Sequence, residues 1–426
     1  MNFLNRRSCL RIFARKAQVR TAATLGDAGA ARAYGAMRFP IWLPSLLGVL
    51  IAVGPVSTDM YLPAFPAIEA ALGGRPGTAQ ITLATWFVGL AVGQVTQGTL
   101  ADRFGRRGPL IAGTVLYTLA SVGCAVAPDL PTLAAMRFVA AFGGSASMVI
   151  PRAIVRDLAD GHAAARLMSR LMLVFGAAPI LAPSLGGVVL GLAGWQAIFW
   201  VTALYGLLCC AAVALLLPET LPPRARMRLG PLAMLRRYGA VLHERSFVSH
   251  ALIMAGTSFT MFAYLGGSPD VFIAQFRLPP ARYGMLFGAC AAGFILVSQI
   301  NPLLLPRLGA HRLLRGGTAA ALAATLGMAV LALAGVGPWW AFAALVWLNM
   351  ASAGFTNPNA TVGALSRHGA HAGTASALMG TLQYLLGAVS GLLVGLAADG
   401  TARPMAALML LGAAGAAIAD RWRPRG

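Results

Sequence analysis

Twelve apolar runs follow one another along this chain, each about as long as the 20 residues a helix needs to cross a hydrocarbon core. They lie at approximately 41–64, 80–101, 108–127, 131–153, 168–190, 195–217, 247–271, 283–305, 312–334, 338–361, 373–398 and 402–419. In lipid no water reaches the backbone, so only helices and closed barrels can span. Barrel strands would alternate apolar and polar over segments of about ten residues, and no such alternation occurs. Glycine and proline inside the runs are tolerated where neighbouring helices re-satisfy the backbone. Only 11% of the 426 residues are charged, against about 25% in a soluble domain. The expected fold class is therefore an all-α membrane protein with twelve transmembrane helices.

The charges orient this bundle. From residue 38 onward, the gaps after odd-numbered runs hold four arginines: Arg75, Arg277, Arg282 and Arg403. The segments on the other side hold 21, among them Arg103, Arg106, Arg107, Arg166, Arg170, Arg307, Arg312 and Arg421. The positive-inside rule then places both termini in the cytoplasm.

The net charge of +21 does not mark a nucleic-acid partner, because the arginines sit in short gaps and form no face interleaved with aromatics. The single lysine, Lys16, lies outside the apolar runs. A Walker A loop and a Schiff-base lysine in the core are thereby both excluded. Five cysteines show neither CxxC spacing nor a disulfide framework. His368 and His371 have no carboxylate or thiol beside them to complete a metal site. No cofactor is expected, which leaves an ion gradient as the energy source.

Residues 1–40 read as a basic, disordered cytoplasmic tail from an upstream start codon, with Met37 as the natural start. Residues 41–217 and 247–420 then form two six-helix bundles. A basic cytoplasmic linker over 218–246 opens on Pro218-Glu219-Thr220, and 421–426 form a second short tail. The halves repeat. Gly98-Thr-Leu-Ala-Asp-Arg-Phe-Gly-Arg-Arg107 aligns with Pro302-Leu-Leu-Leu-Pro-Arg-Leu-Gly-Ala-His311, which superposes Arg103 on Arg307 and Gly105 on Gly309. Two repeats in the same sense are the parallel-repeat plan of secondary transporters.

The first copy resembles the loop-2/3 signature of the major facilitator superfamily at Gly98, Asp102, Arg103, Gly105, Arg106 and Arg107. Arg137-Phe-x-x-Ala-Phe-Gly-Gly144 is similar to the helix-four motif of its drug antiporters. Pro179, Pro183, Gly186 and Gly187 are similar to their helix-five antiporter motif. Ser57-Thr-Asp-Met-Tyr-Leu-Pro-Ala-Phe-Pro66 and Ile150-Pro-Arg-Ala-Ile-Val-Arg-Asp157 resemble the bicyclomycin/chloramphenicol-resistance subfamily. The resemblance implies a drug:proton antiporter, monomeric, in a bacterial inner membrane. It also implies a conformational latch at the loop motif, with Arg152, Arg156 and Asp157 as its partners.

Charges inside membrane runs are costly and mark function by default. Asp59 and Arg137 fall at similar distances from one end of their runs. They are expected to neutralise each other and to exchange partners when a proton arrives. The bland alternatives are that Asp59 caps a helix end and Arg137 snorkels. Tyr61, Gln94, Tyr264, Gln299, Asn301, Asn357 and Gln383 are candidate polar handles of an apolar substrate cavity, or else hydrogen bonds between helices. The expected cargo is a small amphipathic molecule, with export of a metabolite such as an amino acid or sugar as the alternative. No membrane-depth cluster of His, Asp, Glu or Cys suggests an enzyme.

Overall fold

The structure is a computed structural model that describes residues 42–159, 161–222, 239, 242–365 and 372–423. The tail at 1–40, most of the 218–246 linker, the end of the C-terminal tail, and His368 and His371 lie outside the described residues. The described chain is helical almost throughout: α1 Trp42–Asp59, α2 Phe65–Ala71, α3 Gln80–Phe104, α4 Arg107–Ala125, α5 Leu130–Leu158, α6 Gly161–Leu216, α7 Arg245–Pro269, α8 Pro280–Ala334, α9 Trp339–Leu365, α10 Ala372–Leu396 and α11 Arg403–Trp422. A short 3-10 turn, Leu62–Ala64, precedes α2, and a π-helical turn, Asp270–Gln275, continues α7.

Among the described residues, eight helices are long and apolar enough to cross a membrane. Two are double length and break at a glycine with positive φ: α6 at Gly194 (φ 79°) and α8 at Gly309 (φ 76°). That backbone region is costly for any residue with a Cβ, so these glycines turn one helix into two passes. Helices α3 and α9, with 25 and 27 residues, are each about 40 Å long at 1.5 Å per residue. Counted this way the path agrees with the twelve runs of the sequence. Gly105 (φ 96°) and Gly309 occupy the same place in the two copies of the repeated motif. The sequence alignment thus corresponds to a shared backbone turn.

The first six passes pack on one another, α1 on α6 and α5 on both α3 and α4; in the last six, α7 packs on α11 and α8 on α9. Two helix pairs join these halves, α6 with α8 and α3 with α10. Both seams are tightest at the arginine-poor end of the bundle. A Cβ on Gly187 would lie 2.8 Å from the carbonyl oxygen of Pro280, and one on Gly284 would lie 2.6 Å from that of Pro183. A Cβ on Gly186 would overlap the carbonyl oxygen of Met60, just beyond α1. On the other seam Gly395 meets the carbonyl of Gly77; within the second half, the Phe262 ring of α7 lies against Gly387 of α10. Gly387 and Gly395 are therefore close-packing positions, as small residues in membrane helices usually are, whereas a Cβ on Gly391 would meet open space. Between the seams, the Phe87 ring of α3 meets Phe262 of α7 tilted at 4.2 Å and lies nearly parallel to Tyr384 of α10 at 6.2 Å.

This closure generates a test. Gly186→Ala places a methyl group where the Met60 carbonyl sits, an overpacking worth about 1–3 kcal/mol. The midpoint of thermal unfolding in detergent is expected to fall. An unchanged midpoint would contradict the close approach.

Candidate functional site

Arg137 projects from the first third of α5 and is only 2% exposed, so it does not snorkel. Its guanidinium lies 4.1 Å from the ring centre of Tyr61, 4.2 Å from that of Trp86 and 5.9 Å from that of Phe199. Cation–π attraction of this kind is worth about 2 kcal/mol or more when desolvated. One nitrogen, Nη1, donates to the carbonyl oxygen of Ser57 at 3.0 Å. Its other nitrogens, Nε and Nη2, meet no hydrogen-bond acceptor among the described residues. The Ser57 hydroxyl bonds the phenol of Tyr117 at 2.5 Å, which ties the same turn of α1 to α4.

Asp59 ends α1, two residues beyond Ser57, and is 6% exposed. The sequence places it beside Arg137, and the structure brings both to the same turn of α1. The expected direct ion pair between them is absent among the described residues. Aromatic faces hold the guanidinium instead, and Asp59 has neither a hydrogen bond nor an ion pair there. Its charge lies within electrostatic reach of Tyr264 on α7 and Tyr283 on α8, both in the second half.

The remaining candidates separate by exposure. Tyr61 is buried, with its hydroxyl 3.1 Å from that of Thr82, and serves as one wall of the Arg137 cage. Tyr264 is buried against Phe287, their rings 5.4 Å apart and nearly parallel. Asn301 accepts a 2.7 Å hydrogen bond from Asn359, a contact between α8 and α9. In this conformation these three are packing residues. Gln94 and Gln383 are half-buried and Gln299 is exposed. Asn357 is half-buried, and its buried Oδ1 has no donor among the described residues. The cage walls Trp86 and Phe199 escape sequence reading, because an aromatic in an apolar run looks like any other core residue.

At the arginine-rich end the loop motif closes on itself. Gly105 lets the chain turn between α3 and α4. Arg106 is 6% exposed; its Nη1 bonds Asp102 at 2.5 Å and its Nε bonds Asp157 of α5 at 2.9 Å. Burial pulls this guanidinium toward neutrality, but the two carboxylates more than offset it. Asp157 thus contacts the loop motif through Arg106. Arg103 lies over the Phe104 ring, Gly98 packs near Val149, and Arg152 and Arg156 are exposed.

The anchor that sequence reading misses is Glu219. Its carboxylate accepts the backbone N–H groups of Arg106 (2.8 Å) and Arg107 (3.2 Å) at the start of α4. It also accepts those of Thr220 and Leu221, while Thr220 Oγ1 donates to Asp157. A carboxylate at a helix N-terminus both caps it and complements its dipole. The signal was present as Pro218-Glu-Thr220, there read only as the start of a linker. In the second half, His311, equivalent to Arg107 by the repeat, bonds Arg423 at 2.8 Å, and Arg423 pairs with Asp420 at 2.8 Å. Each half thus carries a polar clasp at this end, built from its own residues.

Comparison with known proteins bears on this arrangement. The family profile described as Major Facilitator Superfamily matches residues 47–392. An uncharacterised transporter of that type from Bacillus subtilis, YdgK, is 34% identical over 375 residues, covering 87% of this chain and 92% of its own. A bicyclomycin resistance protein homologue from Haemophilus influenzae is 32% identical, covering 84% and 90%. A chloramphenicol resistance protein from Pseudomonas aeruginosa is 28% identical, covering 85% and 88%. Among solved structures, a bacterial homologue of the human lysosomal transporter Spinster, inward-facing and unoccupied, superposes with a TM-score of 0.69. It is 16% identical and covers 90% of this chain and 97% of its own, so the likeness is one of fold.

The Glu219 cap yields a prediction. Glu219→Ala strips the acceptor from four backbone N–H groups and is expected to destabilise the first half by about 1–2 kcal/mol. Thermal unfolding of the purified protein reads this as a lowered midpoint, and no change would mean that water replaces the cap.

Proposed function

The chain belongs to the major facilitator superfamily, and from that premise we propose that it is a proton-coupled antiporter that expels small amphipathic antibiotics. The observation that carries the reading is the pair of unsatisfied buried charges. Among the described residues Asp59 has no hydrogen-bond or ion-pair partner, and Arg137 of α5, which bonds the Ser57 carbonyl two residues before Asp59, keeps two nitrogens without acceptors. An uncompensated buried carboxylate is expensive and is neutralised by a proton or a cation. A site of that kind can hold a proton or an amphipathic drug in turn, which is what antiport requires. The resistance named in two relatives supports antibiotics as the cargo class.

In this reading the halves are residues 41–217 and 247–420, joined by the cytoplasmic linker at 218–246. They rock about the α6–α8 and α3–α10 seams. The arginine-rich end faces the cytoplasm of a bacterial cell, across its inner membrane, with both termini inside. The arginine-poor end, sealed by backbone contact, is then the outer gate in its closed state. The clasp around Arg106 and Glu219 stiffens the cytoplasmic end of the first half. Gln94, Gln299, Asn357 and Gln383 offer polar handles to the cargo. The protein works as a monomer on the proton gradient, without a cofactor.

Asp59→Asn keeps the shape of the side chain and removes its titration. Efflux of a fluorescent amphipathic drug from cells is expected to fall to the level of cells lacking the protein, with the amount in the membrane unchanged. Retained efflux would overturn the assignment of Asp59.

A further inference from the structure

At the arginine-poor end, two carboxylates from opposite halves lie near one another, and a glutamine bonds one of them across the seam. Glu69, on α2, is 7% exposed, and Asp270, the first residue of the π-helical turn, is 8% exposed. α2 packs against that turn, close enough for the charge of Glu69 to act on Asp270. Gln80, fully buried at the start of α3, reaches across the seam. Its Nε2 donates to Asp270 Oδ2 at 2.8 Å and to the Gly266 carbonyl at 3.1 Å. Its Oε1 is buried with no donor among the described residues.

Buried polar atoms are nearly always satisfied, so the unmet Oε1 identifies what the site lacks. A carboxylic acid supplies it. Protonated on its second oxygen, Asp270 would accept from Nε2 and donate its O–H to Oε1, completing the amide's bonding. Glu69 already has donors, since it faces the backbone N–H groups of Gly77, Thr78 and Ala79 and bonds that of Ala79 at 2.9 Å. Of the two acids, Asp270 is the one a proton completes.

We propose that Asp270 is a second proton-binding site of the transport cycle, protonated while the outer gate is shut and deprotonated to open it. Loss of the proton to outside water leaves two carboxylates facing each other across the seam, and their repulsion drives the halves apart. Regaining a proton from outside restores the Gln80 bridge and returns the protein to the closed form. Few other charged or titratable groups face the site. α8 contributes Tyr283, whose hydroxyl bonds Ser268 at 2.7 Å and whose ring lies within electrostatic reach of both Asp270 and Asp59. The seam helix α10 contributes none over 387–396, and Arg75, Arg277, Arg282, Asp399 and Arg403 are exposed.

This inference rests on the antiport reading, but it is tested without a drug. In the full chain, with its five native cysteines replaced, spin labels at Arg75→Cys and Ala397→Cys straddle the outer seam. Their separation is read by pulsed electron paramagnetic resonance from acid to mildly alkaline pH. The long-distance population is expected to grow with pH, by about tenfold in the open-to-closed ratio for each pK unit of like-charge coupling. Asp270→Asn is expected to stay short throughout, and Asp270→Glu to keep the response. Gln80→Met leaves both acids in place and is expected to shift the opening midpoint toward acid. A pH-insensitive parent, an Asp270→Asn profile matching it, or an unmoved Gln80→Met midpoint each overturns the proposal. Asp59→Asn separates the two claims, because it is expected to keep this response while losing drug efflux.

Discussion

The contact on which the rest of this structure depends is backbone against backbone, where α6 meets α8 and the end of α1 at the arginine-poor end. Lipid offers no hydrophobic reward for bringing two apolar helices together, so close van der Waals fit must supply the attraction. Gly186, Gly187 and Gly284 allow it by leaving no Cβ between the chains. A seam of this kind is smooth as well as tight. In the proposed reading it holds the two halves together without interlocking them, so that one half can rotate against the other.

The polar chemistry is arranged around that freedom. Arg137 is fixed to the first half by three aromatic rings and the Ser57 carbonyl, with no acid permanently attached. Had Asp59 and Arg137 formed the expected ion pair, both charges would already be compensated, and neither would have reason to recruit a proton or a cargo. The aromatic cage stabilises the cation while leaving the carboxylate available. Asp59 lies near Tyr264 and Tyr283 of the other half, at the place where the two halves meet. At the opposite end, Arg106, Asp157 and Glu219 lock α3, α4, α5 and the end of α6 into one body. Rigid-body rocking needs stiffness of this sort within each half.

Much of this was legible in the sequence, for physical reasons that can be named. Run lengths follow from bilayer thickness, and the loop motif announced itself through Gly105, whose positive φ only glycine adopts readily, and through Asp102 and Arg106. Asp59 and Arg137 stood out because charges in apolar runs are rare. The partners did not stand out. Trp86 and Phe199 look like ordinary core aromatics, and Glu219 lies 113 residues from the Arg106 N–H it caps. Gln80 and Asp270 sit 190 residues apart, at the ends of runs that gave no hint they would touch. One-dimensional patterns report depth in the membrane and say little about which helix lies alongside.

The central claim, that one buried acid trades protons for drugs, is tested most directly by proton movement itself. Inside-out vesicles containing the protein, energised and loaded with a pH-sensitive dye, would be challenged with a panel of amphipathic antibiotics. The account predicts that transported compounds dissipate the proton gradient, and that the effect disappears with Asp59→Asn. Drug transport that leaves the gradient untouched, or dissipation that persists in that variant, would contradict it.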